Sequence, residues 1–158
     1  MKRFIYADRF DPPILSHQSL IDRASRLFPY LELLVIDSGA DVFSREKRLR
    51  CVEEMTADYT NVSICPDACP NGAVFLFPLA PGSFALTSRK EYLLRESLSS
   101  IEVLYLPIES RHTSLSFGDL LALSKNGVDL NLLLPFPAVK LVHGKIAETE
   151  VSQRGSVS

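Results

Sequence analysis

The chain has 158 residues, 46% of them hydrophobic and 23% charged, values that exclude a disordered or fibrous chain and a disulfide framework and suit one compact domain with its own core. Seventeen basic against nineteen acidic side chains give a formal net charge of −2, so a broad electrostatic grip on nucleic acid or on an anionic membrane is not expected. Cys51, Cys65 and Cys69 are an odd number of cysteines and read as reduced thiols; no apolar run approaches the roughly 20 residues of a membrane span, and the start MKRFIYADRF lacks a signal-peptide core, so a cytoplasmic protein is expected.

Phe4-Ile5-Tyr6 predicts a first strand, and Asp11-Pro12-Pro13 a loop through which no helix can run. Leu20, Ile21, Ala24, Leu27 and Phe28 recur at helical spacing over residues 19–28, with Ser16 as the expected N-cap and Pro29 as the stop. Leu31 to Ile36 reads as a buried strand. Ser44 then caps a second helix, with Leu49, Val52, Met55 and Tyr59 inward and Arg45, Lys47, Arg50, Glu53 and Glu54 in water. Strands follow at Asn61–Cys65, Ala73–Ala80 and Ile101–Leu106, with a helix over 83–97 between the last two. Two more helices are expected, Phe117–Asn126 closed by Gly127 and Pro137–Ala147, giving a domain over residues 1–147 and a flexible polar tail over 148–158. Alternating strands and helices imply an α/β fold: a Rossmann-like five-stranded parallel sheet, helices on both faces, wound right-handedly. Ligands of such sheets sit at the carboxyl ends of the strands, here the loop from Ala7 to Ser16. The stretch from Cys65 to Gly72 is shorter than the dozen or so residues a parallel crossover usually takes.

That loop, RFDPPILSH, followed by LIDRASRLF and FSREKRLRCVEEMTADYTNV, resembles phosphopantetheine adenylyltransferase, of the nucleotidyltransferase superfamily. IEVLYLP, a Ser-rich segment, GVDLNLLLP and a last helix follow the closing order of that family, so the resemblance is strong to about residue 62 and looser beyond. It implies the nucleotidyltransferase type of α/β fold and transfer of an adenylyl group from ATP to 4′-phosphopantetheine in coenzyme A synthesis, with release of pyrophosphate, magnesium (Mg2+) assisting, and a homo-oligomeric assembly. It also implies a catalytic role for His17, at the histidine that contacts the ATP phosphates, and nucleotide or substrate binding by Arg9, Phe10, Ser16, Arg111, Ser114 and Ser116. Phe10, Asp11 and Pro12 match the family motif GTFDP, but its glycine is Asp8, its threonine Arg9, and the glycine before the histidine Ser16. An acidic side chain there repels phosphates unless it is paired. The family's lysine after the second strand falls in Ser38-Gly39-Ala40-Asp41, and two of its arginines fall on Phe77 and Ala80, so the usual cationic lining is absent at these positions. The expected alternative to a weakened enzyme is a non-catalytic relative that binds nucleotide or pantetheine or serves in assembly.

Other features have plainer readings. Cys65 and Cys69 lack the further ligands a tetrahedral site needs, and no metal-binding residue is assigned. His112 and His143 read as ordinary surface side chains, and Arg45, Lys47, Arg48 and Arg50 as a solvated helix face, with Arg48, which matches a family arginine, bracing structure. Arg89, Lys90 and Arg95 are candidates for relocated phosphate contacts.

Overall fold

The computed structural model describes residues 2–65, 72–79, 102–108 and 115–156. The helix expected over 83–97, and the readings of Cys69, Ala80, Arg89, Lys90, Arg95, Arg111, His112 and Ser114, lie outside the described residues.

In chain order the elements are β1 (Phe4–Asp8), α1 (Leu15–Leu27), β2 (Leu31–Val35), α2 (Arg45–Thr56), β3 (Val62–Ile64), β4 (Val74–Leu79), β5 (Glu102–Pro107), α3 (Phe117–Lys125), a 3-10 turn at Leu130–Leu132, and α4 (Phe136–Gly155). The five strands form one sheet in the order β3-β2-β1-β4-β5, with every pairing parallel. The sheet is the open α/β sheet expected, and its order reverses at β1, which makes the carboxyl end of β1 the place where such sheets hold ligands.

The two-residue period of a strand sends Tyr6, Leu31, Leu33, Val35, Val74 and Leu76 to one face, where they pack with Leu20, Ile21 and Ala24 of α1 and Val52 and Met55 of α2. Ile5, Ala7, Phe75 and Phe77 are buried on the opposite face beside Leu34, Val103 and Tyr105. Burial on both sides explains why β1, β2 and β4 read as nearly unbroken apolar runs rather than alternating ones. A third cluster joins Leu120 of α3, Leu133, Leu134 and Ala138, Val142 and Ile146 of α4 to Ile14 and Phe43, the residues just ahead of α1 and α2. The C-terminal helices therefore pack against the two loops that form the strand-end site.

Three expectations change. The N-cap of α1 is Ile14, not Ser16, which lies buried in the first turn; the cap acceptor is the ring of His17, whose Nδ1 accepts the Ile14 N–H at 2.9 Å. The last helix does not stop at Ala147 but runs through the polar stretch expected as a tail to Gly155. Its last buried residue is Ile146, and beyond it good helix formers such as Glu, Ala and Gln keep the turns going without a buried face. Arg48 leaves the solvated face altogether and is 1% exposed. By contrast, Ser44 caps α2 as expected, accepting the Lys47 N–H at 3.3 Å. Gly127 closes α3 with φ +80°: its N–H reaches the Ser124 carbonyl at 3.0 Å while that of Val128 reaches Leu123 at 3.0 Å, a left-handed closure that favours glycine.

Candidate active site

The loop between β1 and α1 is held at each step. Asp8, the last residue of β1, accepts the Arg9 N–H at 2.7 Å. Phe10 is fully buried in the left-handed region, φ +52°, a conformation an aromatic residue adopts only when its surroundings dictate it. Its ring is fixed edge-on to Tyr6 at 5.5 Å and lies 4.8 Å from the ring of His17. Asp11, followed by a cis peptide to Pro12, turns its carboxylate to the next loop and accepts the N–H groups of Val42 at 2.8 Å and Phe43 at 2.9 Å. Where α1 begins, the Leu15 N–H is taken by the Leu133 carbonyl at 3.1 Å.

The hydrogen bond from Ile14 to Nδ1 of His17 leaves that nitrogen as an acceptor, so the imidazole carries its proton on Nε2. Nε2 lies 3.5 Å from Oδ2 of Asp8, which places the Nε2–H at the carboxyl end of β1. Burial first, and then the charge and hydrogen-bond acceptance of Asp8, push the Tyr6 hydroxyl well above its ordinary pKa. Asp8 thus faces His17, the Arg9 N–H and the Tyr6 hydroxyl together. The carboxylate that stands where the family has glycine is paired, and its partner is the imidazole that the resemblance reserves for phosphate.

Arginines bind the neighbouring loop. Arg48 spreads its guanidinium over three carbonyls, donating from Nε to Phe43 at 3.0 Å and from Nη1 to Arg9 at 2.8 Å and Ile36 at 2.9 Å. It also bonds Asp37 and stands 3.5 Å from Asp41. Arg45 donates to the Val35 carbonyl at 2.7 Å and to Asp37 at 3.0 Å. Arg9, 45% exposed along its side chain, donates to Asp41 at 2.8 Å and Asp11 at 3.3 Å. Burial alone would raise the Asp41 carboxyl, but the Ser38 N–H, Arg9, the charge of Arg48 and the Ser38 hydroxyl outweigh it and bring it down to about 2. The hydrogen bond from Arg48 leads the causes that lower Asp37. Asp41 occupies the stretch where the resemblance calls for lysine.

Ser116 is the N-cap of α3, in a closed capping box: its hydroxyl accepts the Asp119 N–H at 3.1 Å, and the Asp119 carboxylate accepts the Ser116 N–H at 2.8 Å. An internal carboxylate therefore sits on the helix start. The next residue, Phe117, meets Phe43 edge to face at 5.9 Å, and Phe43 in turn gives its N–H to Asp11. The structure so brings Arg9 and Phe10 on the loop together with Ser16 and His17 in the first turn of α1, and joins Ser116 to that loop through Phe117 and Phe43. Sequence reasoning missed Asp37, Asp41 and Asp119 as partners. It also missed the burial of Arg48, although positions 48, 52 and 55 fall on one helical stripe with Val52 and Met55. Cys51 and Cys65 are both buried and are not joined to each other, and no helix among the described residues is long and apolar enough to cross a membrane.

The crystal structure of a protein from Vibrio parahaemolyticus, provisionally assigned as a nicotinate-nucleotide adenylyltransferase, superposes with a TM-score of 0.59 at 18% identity, covering 92% of this chain and 95% of that one. Sheet order and superposition together define a nucleotidyltransferase-type α/β fold. At the level of sequence the chain is similar to a phosphopantetheine adenylyltransferase from Nitrosospira multiformis, 35% identical over 68 residues. That match takes in 42% of this chain and spans about two-fifths of the relative's length, 41%. No family model matches the chain.

Proposed function

We propose that the chain is a nucleotidyltransferase of the phosphopantetheine adenylyltransferase type, weakened in its phosphate contacts. In that reaction a phosphate oxygen of 4′-phosphopantetheine attacks the α-phosphorus of ATP in line, the bond from that phosphorus to the bridging oxygen breaks, and pyrophosphate leaves. The observation that carries the reading is His17, whose Nδ1 is fixed by the Ile14 N–H so that a protonated Nε2 faces the carboxyl end of β1. A fixed donor is what a developing phosphate charge requires, and the strained, packed Phe10 keeps the loop from having to reorganise. Each preorganised donor of this kind is worth about 10²–10³ in rate, and the missing lysine and arginines make turnover slow.

Magnesium, implied by the resemblance, would arrive on the nucleotide phosphates. Among the described residues no group of three or more His, Cys, Asp or Glu is gathered to hold a metal, and Asp11, Asp37 and Asp41 already accept from arginines or backbone N–H groups. The described residues do not fit a protein-held ion. Leu132 in the 3-10 turn and Phe136 at the start of α4, 69% and 87% exposed, support a homo-oligomer. Substrates of coenzyme A synthesis accord with a cytoplasmic location.

The test is pyrophosphate release from ATP plus 4′-phosphopantetheine. A slow release that falls at least about 10²-fold in His17→Ala supports the enzyme; equal background rates in both proteins reject it. The second reading, a non-catalytic relative that binds nucleotide or pantetheine, is favoured by Arg9, which Asp41 and Asp11 hold between them. Saturable ATP binding without turnover would select it.

A further inference from the structure

On the outer side of the third apolar cluster, α2 and α4 enclose a groove of about 390 Å³ that shares only Phe43 with the site above. Its floor is Phe43, Cys51 and Leu141, and burial, with Glu54 adding, pushes the Cys51 thiol up to about 12, so the floor is neutral. Its walls carry Lys47 and Arg50 from α2 and Lys140 and Lys145 from α4, against Glu54 and Glu148. This local excess of positive charge belongs to a chain whose net charge is −2. Arg50 is paired with Glu46 and Lys145 with Glu148. Lys47 and Lys140, one on each wall, have no carboxylate partner among the described residues; Arg23, Lys125 and Arg154 likewise have none, but only the two lysines line a groove together.

We infer that this groove is a binding site for a small phosphate monoester with an apolar body. A dianion with three acceptor oxygens can meet two ammonium groups that line one groove, which a monovalent carboxylate does less well. The apolar floor receives the rest of the ligand, and the volume lies in the range of small-molecule pockets. Gly144 lines the groove, and a Cβ added there meets nothing within 4 Å, so a larger side chain at this position is accommodated beside the groove. The site is independent of the adenylyl-transfer reading, because none of its lining residues belongs to the loop of His17.

The experiment is a titration of the isotopically labelled full chain with hexyl phosphate, followed through the amide resonances of Cys51, Lys140 and Gly144, with inorganic phosphate and hexanol as separate probes. The expected result is saturable shifts at those three amides, at least tenfold tighter than for inorganic phosphate, weakened at least tenfold in Lys47→Gln/Lys140→Gln, and unchanged in His17→Ala. Shifts confined to the loop of Asp8 and His17, shifts that never saturate, or equal binding by the double lysine variant would overturn it. The lysine pair is on the surface, so its variant reports on the site.

Discussion

Arg9 Nε donates to Oδ1 of Asp41 at 2.8 Å, spanning from the loop after β1 to the loop after β2. The pair clamps the carboxyl edge of the sheet and spends on a carboxylate the cation best placed for a phosphate. Arg9→Ala is therefore expected to cost little phosphate binding, because the free protein already uses the side chain. ATP titration by calorimetry checks this: a loss of tenfold or more would show that the guanidinium leaves Asp41 for the ligand.

Asp8 and His17 support the opposite kind of prediction, a gain. Asp8→Asn keeps an acceptor for the Arg9 N–H but removes the negative charge facing Nε2. ATP is expected to bind roughly tenfold tighter, since one partly screened charge a few ångströms from phosphate is worth about 1–2 kcal/mol at the dielectric of a protein surface. The same calorimetric titration, run at low and at physiological salt, decides it; unchanged or weaker binding contradicts the repulsion.

Arg48 is predicted to be the costliest single residue near the site. Arg48→Ala leaves the carbonyls of Arg9, Ile36 and Phe43 and the carboxylate of Asp37 without their common donor, a loss of about 1–3 kcal/mol for each buried carbonyl left without its partner. Arg48→Lys rescues little of it, because one ammonium cannot reproduce the fork. Urea unfolding of the three proteins measures the difference.

Acid should reach Asp41 late. Its carboxyl is held at about 2 in the folded chain, below its ordinary value of 3.8, so its contribution to stability is complete above about pH 3.8 and is lost as the pH falls through about 2. Asp37 is lowered in the same direction. Asp41→Asn is expected to flatten the stability curve between those two values and to leave its slope near neutral pH unchanged. Thermal melts across that range provide the check.

Ser116 separates capping from binding. Its hydroxyl is already matched with Asp119, so Ser116→Ala is expected to cost about 1 kcal/mol of stability and to leave ATP affinity as it was. Denaturant melts and the ATP titration together read both effects.

The elements near the site were legible because local chemistry fixes them. The apolar runs of β1, β2 and β4, the Ser44 cap and the Gly127 closure each depend on a few neighbouring residues. What was not legible depends on contacts far apart in the chain. Nothing near position 41 announces that its carboxylate meets Arg9, and Asp37 meets Arg48 only once β2 lies beside β1 and α2 packs back on the sheet. Ser16 looked like a cap by residue type, yet the ring of the next residue, His17, does that work for Ile14 three residues back. The extension of α4 was hidden because a solvated helix carries no apolar stripe.

The fork of Arg48 has a kinetic corollary. Since one side chain fastens the backbone of both loops, neither can take its final shape before the other, and both set together with the helix that carries it. A visitor to this edge of the sheet meets a mould that has already hardened: encounter and capture coincide, its arrival rate follows diffusion and charge, and little disorder remains to be surrendered on contact.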